Sequence, residues 1–313
     1  MRWLAVLLFI KAVLGASENP EENRGIHDPN LFEGDMYLTP RQRYKAEHGM
    51  DVDSDLKRGS SRLRLWPGGV VPYTISPTLA RNPRAMAAIR LGISEWNRKT
   101  CIRLIPRNRG EAAYVSFIPG DGCASYVGRI GNRQFIWLAR GCWTTGIVAH
   151  EIGHAVGFYH EQSRPDRDRF VQIVWSNIQP DYFSAFKKYP RSIIDSLRTP
   201  YDYRSVMHYG RNAFSKNGKP TIIVKRREFQ NVIGQRFGLS RIDALQANRL
   251  YSCFGRGGGR PPGTRRRRKG RGGKRSGRRR QKGRRKLCDA KLTSSSSLTS
   301  ESGDDSPIAN PAE

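Results

Sequence analysis

The stretch that most constrains this chain runs from His150 to His160, where three of its six histidines fall within eleven residues. His150 and His154 are four positions apart, so on a helix they share one face, with Cβ atoms roughly 5–6 Å apart. That spacing lets two imidazoles reach one metal ion at about 2.0–2.1 Å. The preceding "TTGIVA" supplies Thr144 or Thr145 as a helix cap and apolar residues to bury the helix. The stretch therefore predicts a buried metal-binding helix.

Gly157 and His160 complete this spacing. Gly157 can leave the right-handed helical region without a Cβ penalty, so the chain can turn back and present His160 as a third ligand. Three neutral nitrogens leave one position open, as catalytic zinc sites require. A structural zinc site would need neither that position nor the glutamate that follows His150.

Glu151 has the properties of a catalytic base. Zinc lowers the pKa of its water from about 15.7 to about 7, and a carboxylate beside it can take the proton. The residues alone thus indicate one Zn²⁺ with His150, His154 and His160 as ligands and Glu151 as the base.

The elements around this helix predict an α+β domain over residues 59–255. Asn82 and Pro83 open an amphipathic helix over 83–98, with apolar residues at helical spacing. Ser240 and Asp243 form a capping box for a helix through about Leu250. Strand composition separated by Gly, Pro and Asn occupies segments 102–105, 113–118, 124–128 and 134–139.

The ends of the chain differ from this domain. Residues 1–16 carry a basic start, an apolar run and small residues, which is typical of a secretory signal, although a short buried apolar segment is the alternative. Residues 17–58 are polar and acidic and indicate a spacer or propeptide rather than a domain. The dibasic pair Lys57-Arg58 offers a processing site that would release Gly59. No later stretch approaches the ~20 apolar residues of a membrane span.

The net charge of +29 has two sources, a basic folded region and a basic block in the tail. Residues 256–286 hold 17 basic side chains and no acidic one, and residues 287–313 are Ser-rich and acidic. We expect the whole of 256–313 to be disordered. No aromatic residues interrupt the basic block, so it indicates electrostatic binding to a polyanion rather than base stacking. Because a secretory signal is predicted, heparin, another polyanion or the extracellular matrix is favoured over nucleic acid. A solvated tail or a trimming site is the alternative.

The chain has five cysteines. In an oxidising compartment they predict two disulfides within the domain, with three pairings open, and leave Cys288 alone beyond the basic block.

The sequence resembles the astacin family of zinc metalloproteases, within the metzincins, over roughly Trp66 to Cys253. The motif "HEIGHAVGFYHEQSRPDRD" matches the family signature, and "SVMHY" (Ser205–Tyr209) matches its Met-turn. The resemblance implies an N-terminal subdomain with a twisted mixed sheet and two long helices. It also implies a largely irregular C-terminal subdomain with one terminal helix, and a zinc cleft between the two. The signature extends through Glu161, Arg164, Asp166, Arg167 and Asp168.

The resemblance also implies roles for single residues. Met207 would form an apolar floor under the zinc, and Tyr209 would be an additional ligand that stabilises the transition state; on the residues alone both are typical of a core. Glu161 would receive the new N-terminus of the mature protein, whereas in isolation it indicates a surface salt bridge. Counting back from Trp66, the usual mature start would fall near Lys57, so release at Gly59 would give a slightly shorter N-terminus.

Further implications concern latency, disulfides and specificity. "FEGD" matches the inhibitory motif of the family, so Asp35 would bind zinc in the latent form. The family pattern selects the pairs Cys101–Cys253 and Cys123–Cys142. A basic residue near Lys225 or Arg226 would select acidic residues just after the scissile bond, with a solvated basic loop as the alternative.

The sequence therefore predicts a secreted, extracellular zinc endopeptidase that is made as a latent proenzyme and hydrolyses peptide bonds in proteins. The alternative is an anionic-matrix or glycosaminoglycan-binding module in which the protease domain is only a scaffold.

Overall fold

The computed structural model describes residues 19–48, except residue 27, and residues 65–253. The predicted signal (1–16), the processing site with Gly59, and the tail with Cys288 lie outside the described residues. The strands are β1 Leu31–Phe32, β2 Met36–Tyr37, β3 Val70–Ile75, β4 Arg103–Pro106, β5 Tyr114–Ile118, β6 Cys123–Tyr126, β7 Arg133–Leu138, β8 Val171–Ile173 and β9 Ile222–Val224. The helices are α1 Pro40–His48, α2 Pro77–Ala80, α3 Pro83–Lys99, α4 Thr145–Ala155 and α5 Arg241–Leu250.

The two long helices begin where their caps predict. The Asn82 side chain accepts hydrogen bonds from the first turn of α3, and Thr144 accepts one from the first turn of α4. The helices pack so closely that a Cβ added to Gly92 would lie 2.6 Å from Val148 Cγ1. The indole of Trp96 donates to the carbonyl of Ala149 at 2.8 Å. This contact fixes α4 against the core.

The main sheet is mixed, with seven strands in the order β1-β2-β6-β7-β5-β3-β4. β6 runs antiparallel to β7, while β2 runs parallel to β6. Each strand predicted from the sequence is present, with bounds shifted by one or two residues. One face of the sheet buries apolar side chains against α3 and α4, among them Val115, Phe117, Ile136 and Leu138. The sheet thereby supports the histidine helix from below.

Residues 19–48, which lie within the predicted spacer or propeptide (17–58), are folded against the domain. This segment contributes β1, β2 and α1, and β2 extends the main sheet beside β6. Three of its apolar side chains are buried because the rest of the chain supplies their partners. Met36, Leu38 and Ala46 pack with Val127, Tyr189 and Ile194. We refer to residues 19–48 as the N-terminal segment.

The part of the domain after α4 is largely irregular, as predicted. It contains the β8-β9 pair, several single-turn helices and α5, which begins at a complete capping box of Ser240 and Asp243. A disulfide joins Cys101, just after α3, to Cys253 after α5, and a second joins Cys123 to Cys142. Within the described part of the chain, no helix is both long and apolar enough to cross a membrane.

Candidate metal centre

The histidines of α4 converge as their spacing predicts. His150 and His154 lie fully buried on one face of α4, with their Nε2 atoms 3.0 Å apart. Gly157 adopts φ +109°, in the left-handed region, and turns the chain back after the helix. His160 then joins the same cluster.

The second nitrogen of each α4 histidine fixes its tautomer. His150 Nδ1 lies 2.7 Å from the carbonyl of Val206, and His154 Nδ1 lies 2.9 Å from the carbonyl of Phe158. A carbonyl can only accept, so each Nδ1 must carry the proton. The two Nε2 atoms consequently face each other as bare acceptors.

Asp35 of the N-terminal segment supplies a fourth acceptor. Its Oδ2 lies 3.1 Å from His150 Nε2 and 3.2 Å from His160 Nε2, and its Oδ1 lies 3.5 Å from His154 Nε2. Ligands on a tetrahedral zinc ion, each bound at about 2.0–2.1 Å, would be roughly 3.3 Å apart. Buried acceptors that face each other need a cation between them. The donor set therefore fits one Zn²⁺, held by the three Nε2 atoms with Asp35 in the remaining position.

Glu151 lies beside this cluster and has no hydrogen-bond partner within residues 19–48 and 65–253, leaving aside residue 27. Both carboxylate oxygens are buried and unpaired among the described residues. Glu21, His150 and Glu151 offer ligand atoms within 4.8 Å of one another. Burial, followed by the charges of Asp35 and Glu21, raises the pKa of Glu151 well above its usual value. The side chain therefore lies next to the metal position in surroundings whose burial disfavours its charged form.

Met207 and Tyr209 approach the cluster from the loop after the histidines. A Cβ added to Gly153 would lie 2.5 Å from Met207 Sδ, so the thioether packs against the helix between the two ligands. The Tyr209 ring lies 4.5 Å from the His160 ring, and its hydroxyl donates to the carbonyl of Glu33 at 2.6 Å. In this structure the N-terminal segment holds the tyrosine hydroxyl.

The N-terminal segment reaches the cluster through the tip of a hairpin. Strands β1 and β2 are joined by three residues, Glu33, Gly34 and Asp35. Glu33 and Gly34 both have positive φ, at +49° and +88°. A Cβ at position 34 would lie 2.7 Å from the Phe214 ring, so only glycine brings the backbone this close.

Sequence reasoning missed two acidic residues of this segment. The carboxylate of Glu33 accepts from His160 Nδ1 at 2.7 Å and also contacts Ser163 and Tyr189. Glu21 is buried and forms an ion pair with Arg236, with 2.5 Å between Oε2 and Nε. Glu33 stands at the unspecified position of "FEGD", and Glu21 lies in a plain acidic run, so no local pattern distinguished either.

The other predicted residues lie near the cluster or apart from it. Glu161 is buried, and its Oε1 accepts from Arg164 Nη1 at 3.1 Å and from the backbone N–H of Asp202 at 2.8 Å. Burial raises its pKa to about 8 although Arg164 opposes this. Lys225 and Arg226 are exposed, and their side chains contact the carbonyl of residue 168 and the carboxylate of residue 228 rather than the histidines.

Together, the mixed sheet, the histidine helix, the glycine turn and the methionine beneath the cluster define the metzincin class of zinc-peptidase domains. Comparison with known proteins gives the family. The sequence profile of Astacin (Peptidase family M12A) matches residues 59–252. The chain belongs to the astacin family.

Several named relatives are similar to it. Zinc metalloproteinase nas-14 of Caenorhabditis elegans is 47% identical over 242 residues, covering 71% of this chain and 47% of the relative. Blastula protease 10 of Paracentrotus lividus is 39% identical over 233 residues, covering 71% and 38%. Zinc metalloproteinase nas-4 of Caenorhabditis elegans is 37% identical over 227 residues, covering 72% and 70%. The chain thus spans less than half the length of the first two.

A solved structure shares the fold. High choriolytic enzyme 1, a hatching enzyme zinc-protease from Oryzias latipes, is 41% identical, with a TM-score of 0.57. The match covers 63% of this chain and 98% of that one.

Proposed function

We propose that this protein is a secreted zinc-dependent endopeptidase that hydrolyses peptide bonds in proteins and is made as a latent proenzyme. One observation carries the proposal. Asp35, from a segment that precedes the matched family domain, occupies the fourth position of a three-histidine cluster. Beside this cluster lies Glu151, a glutamate without a partner in the part of the chain that the structure describes.

The chemistry follows from the residues around that position. Bound zinc would act as a Lewis acid and lower the pKa of a water molecule. Glu151 takes the proton of the attacking water and returns it to the leaving amine nitrogen. Once the N-terminal segment is gone, the Tyr209 hydroxyl is free to donate to the oxyanion that forms on the peptide carbonyl.

Latency is supported by three contacts of the N-terminal segment. Asp35 fills the position that water would need, the Glu33 carbonyl holds the Tyr209 hydroxyl, and Glu21 lies beside Glu151. Each of the three groups that the chemistry requires is therefore engaged by this segment. Its removal would release all of them at once.

The substrate position is indicated by strand β6. The N-terminal segment occupies this edge of the sheet: the Asn23 side chain pairs with both backbone groups of Cys123, and Ser125 N donates to the carbonyl of Asp35. Without the segment, β6 presents a free edge beside the histidines. An extended peptide can then add as a strand there.

The N-terminus after cleavage behind Arg58 would be Gly59. We propose that it approaches the buried carboxylate of Glu161, directly or through water. In the latent state that carboxylate is already held by Arg164 and by the backbone of residue 202. N-terminal sequencing of the secreted protein, with a Glu161→Gln variant as comparison, tests this step: normal activity in that variant would refute it.

Selection of acidic substrates remains a proposal, and the contacts favour Arg236 over Lys225 or Arg226. Arg236 binds a buried carboxylate, Glu21, whose Oε1 lies 3.9 Å from His150 Nδ1. Release of the segment would leave this guanidinium beside the catalytic position. A substrate library cut by Arg236→Ala and by a Lys225→Ala/Arg226→Ala variant decides between the sites, since only the responsible substitution should erase a preference for Asp or Glu.

The basic block 256–286 supports a separate proposal of heparin or matrix binding. Truncation after Gly255 should abolish retention on heparin and leave peptide hydrolysis intact. Unchanged retention would transfer the role to the domain. The scaffold alternative predicts full function in Glu151→Ala, whereas the endopeptidase predicts none.

The central experiment measures zinc and activity on the secreted, processed protein. We expect one zinc ion per chain, loss of peptide cleavage on chelation, and recovery when zinc is restored. Glu151→Ala should retain zinc but lose cleavage by about 10²–10⁴-fold. Stoichiometric zinc with undiminished cleavage in this variant would refute the assignment of the base.

A further inference from the structure

The carboxylate of Glu33 accepts hydrogen bonds from three side chains of the domain. It accepts from His160 Nδ1 at 2.7 Å, from Ser163 Oγ at 3.2 Å, and from the hydroxyl of Tyr189. We call the three donor residues His160, Ser163 and Tyr189 the Glu33 pocket. All are buried, as is Glu33 itself.

The domain builds this pocket with its own backbone. The N–H of Tyr189 donates to the carbonyl of Ser163 at 2.9 Å, and the N–H of Ser163 lies 3.2 Å from the carbonyl of His160. The Tyr189 ring also contacts the ring of Tyr159. The Tyr189 ring also contacts the Phe32 ring of the N-terminal segment. The backbone contacts, which all lie within the domain, are therefore what keeps the three donor residues together when the segment leaves.

The charge of the pocket suits an anion. Tyr189 remains a protonated donor because burial and then the neighbouring carboxylate raise its pKa. The guanidinium of Arg167 is buried nearby and acts on the same hydroxyl in the opposite sense. Removing Glu33 leaves three donors that face one point without their acceptor, and each donor that stays buried in that state costs about 1–3 kcal/mol.

The pocket is also within reach of a bound peptide. Glu33 and Asp35 belong to the same three-residue hairpin tip, and Asp35 marks the position at the histidines. A side chain that enters the pocket therefore belongs to a residue close to the scissile bond.

We propose that the Glu33 pocket is a carboxylate-binding subsite of the processed enzyme, which takes a Glu or Asp side chain of the substrate near the scissile bond. The N-terminal segment fills this subsite with Glu33 as an internal mimic. The inference rests on the proposed function, because it assumes that substrate replaces the segment in the same cleft.

The first test measures binding without catalysis. A synthetic peptide of residues 19–48 and its Glu33→Gln counterpart are titrated onto the processed domain, and onto its Tyr189→Phe variant. Tyr189→Phe keeps the ring and removes only the hydroxyl. Tyr203→Phe is the matched control, since its buried hydroxyl donates to the carbonyl of Phe170 and lies outside the pocket.

Loss of hydrogen bonds to a charged group should weaken binding of the Glu33→Gln peptide by roughly 10–100-fold on the wild-type domain and on Tyr203→Phe. For the Tyr189→Phe domain the affinities of the two peptides should differ clearly less, because one donor to the Glu33 carboxylate is gone. Equal affinity of the two peptides for the wild-type domain, or no measurable binding of either, would overturn the inference.

The second test compares cleavage of a peptide library randomised on both sides of the scissile bond. We expect one position with acidic residues enriched in the wild type and in Tyr203→Phe but depleted in Tyr189→Phe. An active enzyme without such a position would overturn the pocket and spare the proposed function. A processed, zinc-loaded protein that cleaves nothing would instead refute the proposed function, and the binding test would still decide the pocket.

Discussion

Asp243 links the last helix to the loop beneath the histidines, and its replacement by alanine should destabilise the domain strongly. Its Oδ1 accepts from Ser205 Oγ at 2.6 Å, and its Oδ2 accepts from the N–H of Val206 at 2.9 Å and of Ser240 at 2.8 Å. The carbonyl of Val206 in turn holds His150 Nδ1. One carboxylate thus supports both the cap of α5 and a metal ligand.

The size of the effect follows from these three hydrogen bonds. Asp243→Ala leaves three buried donors without an acceptor, each at about 1–3 kcal/mol, so we expect a loss of roughly 4 kcal/mol in the free energy of unfolding. Part of the loss is offset because burial raises the pKa of Asp243, which shows that its charged form is costly in the fold. For a domain of this size, ~4 kcal/mol corresponds to a Tm lowered by roughly 8–16 °C.

The assay is thermal and urea unfolding of the processed, zinc-loaded protein. Ser240→Ala is the control that removes the cap and keeps the contacts to Ser205 and Val206, and it should cost about 1 kcal/mol. Asp243→Asn retains one acceptor oxygen and should fall between the two. If Asp243→Ala costs no more than Ser240→Ala, the carboxylate does not support the loop and the reasoning is wrong.

Three other predictions follow from the same structure. The full chain with Asp35→Ala should cleave peptides before its N-terminal segment is removed, and continued latency in an activity assay would contradict the role of this carboxylate. Gly153→Ala should lower the free energy of unfolding by about 1–3 kcal/mol, because the new Cβ meets Met207 Sδ at 2.5 Å. Gly210→Ala is the control, because a Cβ added there would have no atom within 4 Å. Burial and a neighbouring carboxylate raise the pKa of Asp202 from 3.8 to about 6. Between pH 7 and pH 5 the folded state therefore binds this proton more tightly than the unfolded state does. On lowering the pH from 7 to 5, the free energy of unfolding of the wild type should rise by roughly 1 kcal/mol relative to that of Asp202→Asn. Urea unfolding of both proteins at both pH values measures this change. If the difference in free energy of unfolding between them stays constant or shrinks on acidification, the raised pKa of Asp202 is refuted.

The sequence was most informative where a function depends on neighbours along the chain. The spacing of His150 and His154 determines that they share a helix face, and the caps at Asn82, Thr144 and Ser240 determine where three helices begin. Strand composition located β4 to β7 within one or two residues. These features are local, so they appear as residue patterns before any tertiary contact exists.

The N-terminal segment shows the opposite case. Its composition predicted a spacer or propeptide rather than a domain, because too few apolar residues lie within it to form a core of their own. The segment is nevertheless folded, since Met36 and Leu38 bury against Val127, Tyr189 and Ile194, which come from the domain. The composition of a segment shows only the packing partners that lie within it, and not those that the rest of the chain supplies.

What the sequence alone determined is the metal-binding helix, its glycine turn and the residue types that can hold zinc and carry a proton. Only the tertiary structure decided that Glu33 meets His160, that Glu21 meets Arg236, and that Asn23 completes the edge of β6. These pairs are separated by 127, 215 and 100 residues along the chain. Contacts over such separations depend on how whole segments pack, and no periodicity or spacing within a segment encodes them.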